Sequence, residues 1–284
     1  MPRMVTLPVI GIGSPVMDRF AVGFRPTASL FDRAQTFSAL IDGLEAEAQA
    51  TGANLMAVKD IGDREGSWAD PVLRERGYAR MASLPIAVLD LPFSSLEQYL
   101  QSLSPSTRRN LRRKMRESAK TVSFTECSSV SGLGDEIAQL YESTRANGKA
   151  AYGDFDDLSP AYVQKIAEDV EGATVILGWV DGTLASFALI LVGRNTAFAH
   201  QIGMRYPSAR DNNLYFLNWI AAVRYCIDRG ISRLEFGQTS YPVKLRLGCR
   251  LEPSWIYFRH NARPINAVLR HIAPRFGFDR MEPG

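Results

Sequence analysis

Residues 104–120 read SPSTRRNLRRKMRESAK. This segment carries seven basic side chains and one acidic side chain, Glu117, which gives it a local net charge of +6. The complete chain of 284 residues carries a net charge of only +3, so the remainder is slightly acidic. Thr107, Leu111 and Met115 recur at intervals of four residues, the spacing of one face of an α-helix. The pattern predicts a basic helix that packs along a narrow apolar edge.

The composition of the whole chain is that of an ordinary globular protein, with 46% apolar and 22% charged residues. The three cysteines are widely separated and form no Cys-x-x-Cys pair, so we expect reduced thiols and neither a disulfide framework nor a zinc ribbon. The three histidines lack metal-ligand spacing, and we expect no metal. The sequence shows no secretory leader pattern and no apolar run of about 18 residues, which predicts a cytoplasmic protein without a membrane span.

In the second half of the chain, Asp181-Gly182 is a hairpin signal that predicts a turn between two strands. The elements that follow the hairpin are a strand at 196–205, a long helix at 212–230, a short strand at 232–237, a short helix at 241–248 and a strand at 253–260. The first half shows the same order of strand, long helix, strand, short helix and strand. We therefore predict a partial N-terminal unit over 1–103 and a C-terminal unit over 104–284, which begins with the basic helix.

Two segments, 73–120 and 229–250, resemble a known family. The first leads from a strand into the helix that contains Arg-Arg-Asn-Leu-Arg-Arg, and the second ends with the short helix YPVKLRLG (241–248). With the element order, they resemble the FemAB-like branch of the GNAT acyltransferases, which includes peptidoglycan-biosynthesis-type and BioF-like acetyltransferases. The resemblance implies an α/β fold with a mixed sheet and two GNAT-like units, of which the first is incomplete.

The resemblance also implies an N-acyltransferase that moves an acyl group from acyl-CoA to an amine of a small-molecule substrate. The amine would attack the thioester directly, without a covalent enzyme intermediate. FemAB enzymes use aminoacyl-tRNA instead, so a tRNA-dependent aminoacyl or peptidyl transferase is the first alternative. We rank acyl-CoA first because the chain outside 104–120 is net acidic and offers RNA little further basic surface. A non-catalytic anion-binding protein that retains the fold is the second alternative.

Contacts to donor phosphates are predicted at two places. Arginines suit bidentate phosphate contacts, and the basic helix offers Arg108, Arg109, Arg112 and Arg113. GNAT enzymes hold pyrophosphate at a glycine-rich turn before the long helix, whereas this chain reads GMRYPSARDNNLYF at 203–216. The donors that replace the glycines there are Arg205, Arg210, Asn212 and Asn213. The alternative for the basic helix is a solvated surface paired with acidic neighbours such as Asp154, Asp156 and Asp157.

Four residues are candidates for catalysis. A tyrosine in the short helix protonates the leaving thiolate in ordinary GNAT enzymes; Lys244 takes that position here, and Tyr241 lies one turn earlier. His200 lies in the strand that lines the acyl cleft of GNAT enzymes and can take the proton of the amine, while Gln201 points to the opposite face. Glu235 ends the next strand and can orient an incoming ammonium. The alternative for each is packing in the core or solvation at the surface.

Overall fold

The computed structural model describes residues 8–14, 17–152 and 161–275, with the side chains of 149–152 and 274 left out. It divides into two compact units, one formed by Met1–Ile86 with Leu251–Gly284 and the other by Ala87–Arg250. The division after Ile86 differs from the boundary predicted at 103/104, and the C-terminal segment belongs to the first unit. None of the described helices is long and apolar enough to cross a membrane.

Helices and strands alternate along most of the chain. The first half contains β1 (Val9–Ile12), α1 (Leu30–Thr51), β2 (Leu55–Gly62), α2 (Asp63–Glu75), β3 (Ala79–Ala82), β4 (Ile86–Asp90), α3 (Leu96–Ser102), α4 (Pro105–Ser118), β5 (Val122–Cys127) and α5 (Gly134–Tyr152). The second half contains α6 (Ala161–Asp169), β6 (Ala173–Val180), β7 (Thr183–Val192), β8 (Thr196–Met204), α7 (Ser208–Asp211), α8 (Leu214–Asp228), β9 (Arg233–Glu235), α9 (Tyr241–Arg246), β10 (Arg250–Glu252), β11 (Ser254–His260) and α10 (Arg263–Ile272).

The first unit is built on a four-stranded sheet with the order β1-β2-β11-β3. β1 and β2 are parallel, and β11 pairs antiparallel with both β2 and β3. The core contains Phe37, Ile41, Trp68, Leu73 and Tyr257, each at most 4% exposed. Because β11 lies between β2 and β3, a strand near the C-terminus completes a sheet whose other strands come from the N-terminal part of the chain.

The second unit is built on a seven-stranded mixed sheet with the order β10-β4-β9-β8-β7-β6-β5. β8 and β9 are parallel, whereas β4–β9 and the meander β5-β6-β7-β8 are antiparallel. The predicted hairpin is confirmed, since Asp181 and Gly182 both have positive φ and join β6 to β7. Helices α5 and α6 pack on one face around Leu140, Phe187 and Leu189, which are fully buried.

The predicted basic helix is α4. The Ser104 side chain accepts a hydrogen bond from the Thr107 amide, which satisfies one of the N–H groups left open at a helix start. Leu111 is 1% exposed and Met115 is half-buried, so the narrow apolar edge is also as predicted. The order strand, long helix, parallel strand occurs in both units, as β1-α1-β2 and β8-α8-β9.

Candidate active site

The candidate site lies where β8 and β9 separate. The two strands pair at three positions, ending at Phe198 and Glu235, after which β9 stops and β8 continues to Met204. A cavity of about 120 Å³ occupies the resulting gap, against α8. Its lining includes Ala199, Gln201, Asn218, Trp219, Phe236, Thr239 and Lys244. The cavity therefore forms where a parallel pair opens, and its lining is largely apolar with a few polar side chains.

Lys244 supplies the positive charge of this cavity. It lies on α9 and is only 5% exposed. Its Nζ donates hydrogen bonds to the carbonyl oxygens of Phe236 and, at 3.3 Å, Gly237. A buried ammonium requires such acceptors because it loses its hydration shell. Ser240, which precedes α9, has a φ of 55°, a left-handed conformation that is strained for a residue other than glycine.

Two stacked aromatic rings form part of the cavity wall. The Trp219 ring stacks on Phe236 with ring centroids 3.5 Å apart and planes 8° from parallel. The Trp219 Nε1 donates to the Tyr99 hydroxyl at 2.8 Å, and that hydroxyl donates to the Leu247 carbonyl at 2.9 Å. Burial raises the pKa of Tyr99, so its hydroxyl stays protonated and can serve both bonds. The wall is thereby connected to α3 and to the end of α9.

His200 and Glu235 lie away from the cavity. The pairing of β7 with β8 shifts at His200, so that its neighbours Ala199 and Gln201 both line the cavity. The His200 Nε2 lies 2.8 Å from the Tyr162 hydroxyl of α6, on the other face of the sheet. Glu235 is 5% exposed and forms an ion pair with Arg233 at 2.8 Å. Gln201, which we expected to face away from the site, is therefore the polar residue of β8 in the cavity.

Tyr241 takes the first position of α9 and is 5% exposed. It is not among the residues that line the cavity, whereas Lys244 is. Of the four catalytic candidates, the structure thus places Lys244 alone in the lining. Phe236 and Trp219, which complete its surroundings, carry no catalytic signature in the sequence, since aromatic residues in apolar segments are more often core.

The four arginines of α4 that we predicted to contact phosphates differ in whether they have partners within the chain. Arg112 forms an ion pair with Glu97, and Arg113 pairs with Glu117 at 2.8 Å. Arg108 donates to the Gln101 carbonyl at 3.1 Å. The side chain of Arg109 is exposed and makes no hydrogen bond or ion pair within the described part of the chain. Asp154, Asp156 and Asp157, the alternative partners of this helix, lie outside the described residues.

The turn before α8 is bonded internally. Arg205 donates to the Leu184 carbonyl at 3.3 Å and Arg210 to the Asn147 side chain at 2.6 Å. The Asn212 side chain bonds to the Ser208 carbonyl at 3.1 Å. Asn213 accepts a hydrogen bond from Lys114 of α4, a residue that sequence reasoning did not select. Partial burial lowers the pKa of Lys114, whose Nζ also lies 4.5 Å from the centre of the Phe216 ring.

The cysteine thiols are not activated. Burial raises the pKa of Cys226 and of Cys249 to about 12, and burial also raises the pKa of Cys127. Thiols with such values are protonated near neutral pH and are weak nucleophiles. Among residues 8–14, 17–152 and 161–275, no three His, Cys, Asp or Glu side chains cluster as metal ligands do.

Comparison with known proteins connects this geometry to a family. The model of the acetyltransferase (GNAT) domain matches residues 105–245, which include α4, the gap between β8 and β9, and Lys244. This chain belongs to the GNAT superfamily. GNAT proteins of this family are acyltransferases, and the mixed α/β fold predicted from the sequence is confirmed.

Solved structures share the fold of both units. FemX has a TM-score of 0.64 and 13% identity, covering 95% of this chain and 85% of its own. L-PGS from Bacillus licheniformis has a TM-score of 0.58 and 12% identity, covering 85% of this chain and 79% of its own. At these sequence identities the similarity shows a shared fold. That shared fold is consistent with the FemAB-like branch of the GNAT proteins.

A curated relative matches by sequence. A Mycobacterium tuberculosis protein named "Putative 8-amino-7-oxononanoate synthase 2" is 21% identical over 229 residues, covering 78% of this chain. The match covers 29% of the length of that relative. The GNAT protein thus corresponds to a minor part of that longer chain.

Proposed function

We propose that this GNAT protein is an N-acyltransferase that moves an acyl group from acyl-CoA to an amine of a small molecule. The observation that carries the proposal is the buried ammonium of Lys244 in the gap between β8 and β9. Charge develops on the carbonyl oxygen when an amine attacks a thioester. A cation held in a water-poor cavity before the reaction stabilises that charge more strongly than water does.

The proposed reaction is a direct transfer. The amine forms a C–N bond to the acyl carbon, and the C–S bond then breaks to release the CoA thiolate. Lys244 is the proposed donor that stabilises the oxyanion and supplies a proton to the departing thiolate. The protonated thiols of Cys226 and Cys249 argue against a covalent acyl-enzyme. Gln201 and Thr239, which line the cavity, can orient the amine.

Within the described part of the chain, the cavity lining includes no evident base to take the proton of the incoming amine. None of the described residues that line the cavity is Asp, Glu or His. In this proposal the substrate therefore enters as the neutral amine, or it passes its proton to solvent. His200 and Glu235 stay predictions, as does Tyr241, and each would have to act from beyond the lining. The rate of transfer is accordingly expected to rise with pH towards the pKa of the amine substrate.

A tRNA-dependent aminoacyl transferase is the second candidate. It is favoured by the exposed basic side chains of the α4 segment, of which Arg109, Arg116 and Lys120 make no bond within the described residues. The fold likeness to FemX points in the same direction. The same ammonium of Lys244 would then stabilise the oxyanion formed from an aminoacyl ester. Acyl-CoA ranks first because the excess of positive charge is concentrated in residues 104–120, and the chain outside this segment is net acidic.

The test compares donors and variants of Lys244. The purified protein is given acetyl-CoA, a long-chain acyl-CoA or bulk aminoacyl-tRNA with a panel of amines, and product formation is followed. Lys244→Met is expected to lower kcat about 10²- to 10³-fold with little change in KM, because one oxyanion donor is lost. Lys244→Arg, which retains the charge, is expected to keep more activity. Lys165→Met is the matched control, since that lysine is exposed on α6, outside both the basic segment and the cavity lining.

The outcomes separate the candidates. Transfer from a CoA thioester that depends on Lys244 supports the proposal. Transfer from aminoacyl-tRNA alone, with a steep loss of activity as salt rises, would establish the second candidate instead. Anion binding without turnover on any donor would favour a non-catalytic protein. Wild-type kcat in a folded Lys244→Met variant would remove Lys244 from the mechanism.

A further inference from the structure

A second concavity lies between α4 and α9. Its volume is about 290 Å³, and its lining consists of Ser106, Thr107, Asn110, Leu111, Phe216, Val243, Arg246 and Leu247. It is thus formed by the first two turns of α4 and one side of α9, and the Phe216 ring of α8 is part of its lining. We name it the α4–α9 groove. It shares no lining residue with the cavity that contains Lys244.

The charge of the α4–α9 groove is positive. Arg246 is exposed and makes no hydrogen bond or ion pair among the described residues, so its guanidinium is available to a ligand. None of the lining residues is acidic. The ring of Phe216 in the lining lies 4.5 Å from the Lys114 ammonium, which adds a second positive charge beside the groove.

The start of α4 adds oriented donors. Ser106 and Thr107 lie in its first turn, where helix N–H groups and the helix dipole favour anions. Acidic residues often occupy this turn, but α4 has none there. The Asn110 Oδ1 accepts a hydrogen bond from Arg113 at 3.1 Å. The amide NH₂ of Asn110 can therefore donate to a ligand. The Ser104 hydroxyl donates to the Thr107 hydroxyl at 2.9 Å and lies 3.2 Å from the Ser106 hydroxyl, so Ser106 donates to Ser104 and Thr107 keeps its own O–H. A single anion in the groove can therefore meet Arg246, the Asn110 amide and the Thr107 hydroxyl.

We infer that the α4–α9 groove binds the phosphates of the acyl donor, in place of the turn before α8. The inference rests on the proposed transfer from acyl-CoA. The turn before α8 is a poor alternative because Arg205, Arg210 and Asn212 are bonded to the chain itself. The groove, by contrast, has the exposed guanidinium of Arg246, which makes no hydrogen bond or ion pair among the described residues.

The position of α9 between the groove and the cavity fits this assignment. Val243 and Leu247 face the groove, whereas Lys244 of the same helix lines the cavity. The two concavities thus lie on different sides of α9, and the width of a helix with its side chains is roughly 10 Å. A pantetheine arm is longer than this, so one donor can place its phosphates in the groove and its thioester beside Lys244.

The experiment measures CoA binding by calorimetry at low salt for the wild type, Arg246→Gln and Arg116→Gln. Arg116 is the matched control, because it is an exposed arginine of α4 outside the groove lining. Arg246→Gln is expected to weaken CoA binding about tenfold or more, as the loss of a charge-assisted hydrogen bond does. Arg116→Gln is expected to bind CoA within about twofold of the wild type. Equal affinity of wild type and Arg246→Gln, or equal weakening by both variants, would overturn the inference.

A second arm separates this inference from the proposed function. Acetyl-pantetheine has the thioester but lacks the phosphates, so Arg246→Gln is expected to use it as well as the wild type does. If transfer from acetyl-CoA continues unchanged in Arg246→Gln, the groove assignment fails and the proposed function stands. If Arg246→Gln loses CoA binding but no amine is acylated by the wild type, the groove assignment stands and the proposed function fails. Binding of an RNA minihelix without binding of CoA overturns the groove assignment.

Discussion

Replacing Tyr99 by phenylalanine is expected to destabilise the second unit by about 2–4 kcal/mol. The substitution removes only the hydroxyl, which accepts from Trp219 at 2.8 Å and donates to the Leu247 carbonyl at 2.9 Å. Tyr99 is fully buried and Trp219 is 4% exposed, so water does not easily replace either bond. A buried polar group left without a partner costs about 1–3 kcal/mol, and two such groups are created here.

Hydrogen exchange measured by mass spectrometry provides the assay. Peptides that cover α8 and α9 should exchange about 30-fold faster or more in Tyr99→Phe, because each 1.4 kcal/mol corresponds to tenfold in the opening equilibrium. Peptides of the first unit serve as internal references. Tyr206→Phe is the matched variant, since the Tyr206 hydroxyl makes no hydrogen bond within the described residues. If Tyr99→Phe and Tyr206→Phe change exchange equally, the reasoning about this bond pair is refuted.

Three further predictions concern packing, pH and thiols. Gly203→Ala should destabilise the protein by about 1–3 kcal/mol in urea unfolding, because its Cβ would lie 2.2 Å from the buried Phe187 ring. Partial burial acts to raise the pKa of Asp70, but hydrogen bonds from Tyr257 and Arg74 outweigh it and hold the pKa below the usual 3.8. This stabilisation is present above that value and is lost as pH falls through the lowered pKa, so Asp70→Asn should lose less stability than the wild type between pH 5 and pH 3. Cys249, with a pKa raised by burial to about 12, should react with iodoacetamide at pH 8 only after denaturant is added.

Each of the three has a contrasting result. Gly43→Ala, whose added Cβ meets nothing within 4 Å inside α1, should stabilise by up to about 1 kcal/mol, so equal effects at both glycines would contradict the packing argument. Identical acid sensitivity of wild type and Asp70→Asn would contradict the lowered pKa of Asp70. It would mean that the hydrogen bond from Tyr257 does not favour the charged carboxylate. Rapid labelling of Cys249 in the native protein would show that its surroundings open readily.

The sequence by itself determined the local elements and the class of fold. Helix α4 could be predicted because Thr107, Leu111 and Met115 mark one helical face and the rest of its surface is basic. The hairpin at Asp181-Gly182 could be predicted because the turn needs residues that tolerate positive φ. The repeated order of elements, with the segments 73–120 and 229–250, was sufficient for the GNAT fold. The signals for the helix and the hairpin lie within a few residues of those features, whereas the resemblance to the family depends on segments spread along the chain.

Only the tertiary structure decided which residues meet. β11 completes the first sheet through pairings with strands about 200 residues earlier in the chain, and no local pattern specifies such a partner. The register shift in β8 exchanged the expected positions of His200 and Gln201, because one extra residue alters which side chains face the cavity. The burial of Lys244 depends on carbonyl groups turned towards it by the loop after β9. Pairing, register and burial are properties of distant segments in contact, and they arise only when the chain has folded.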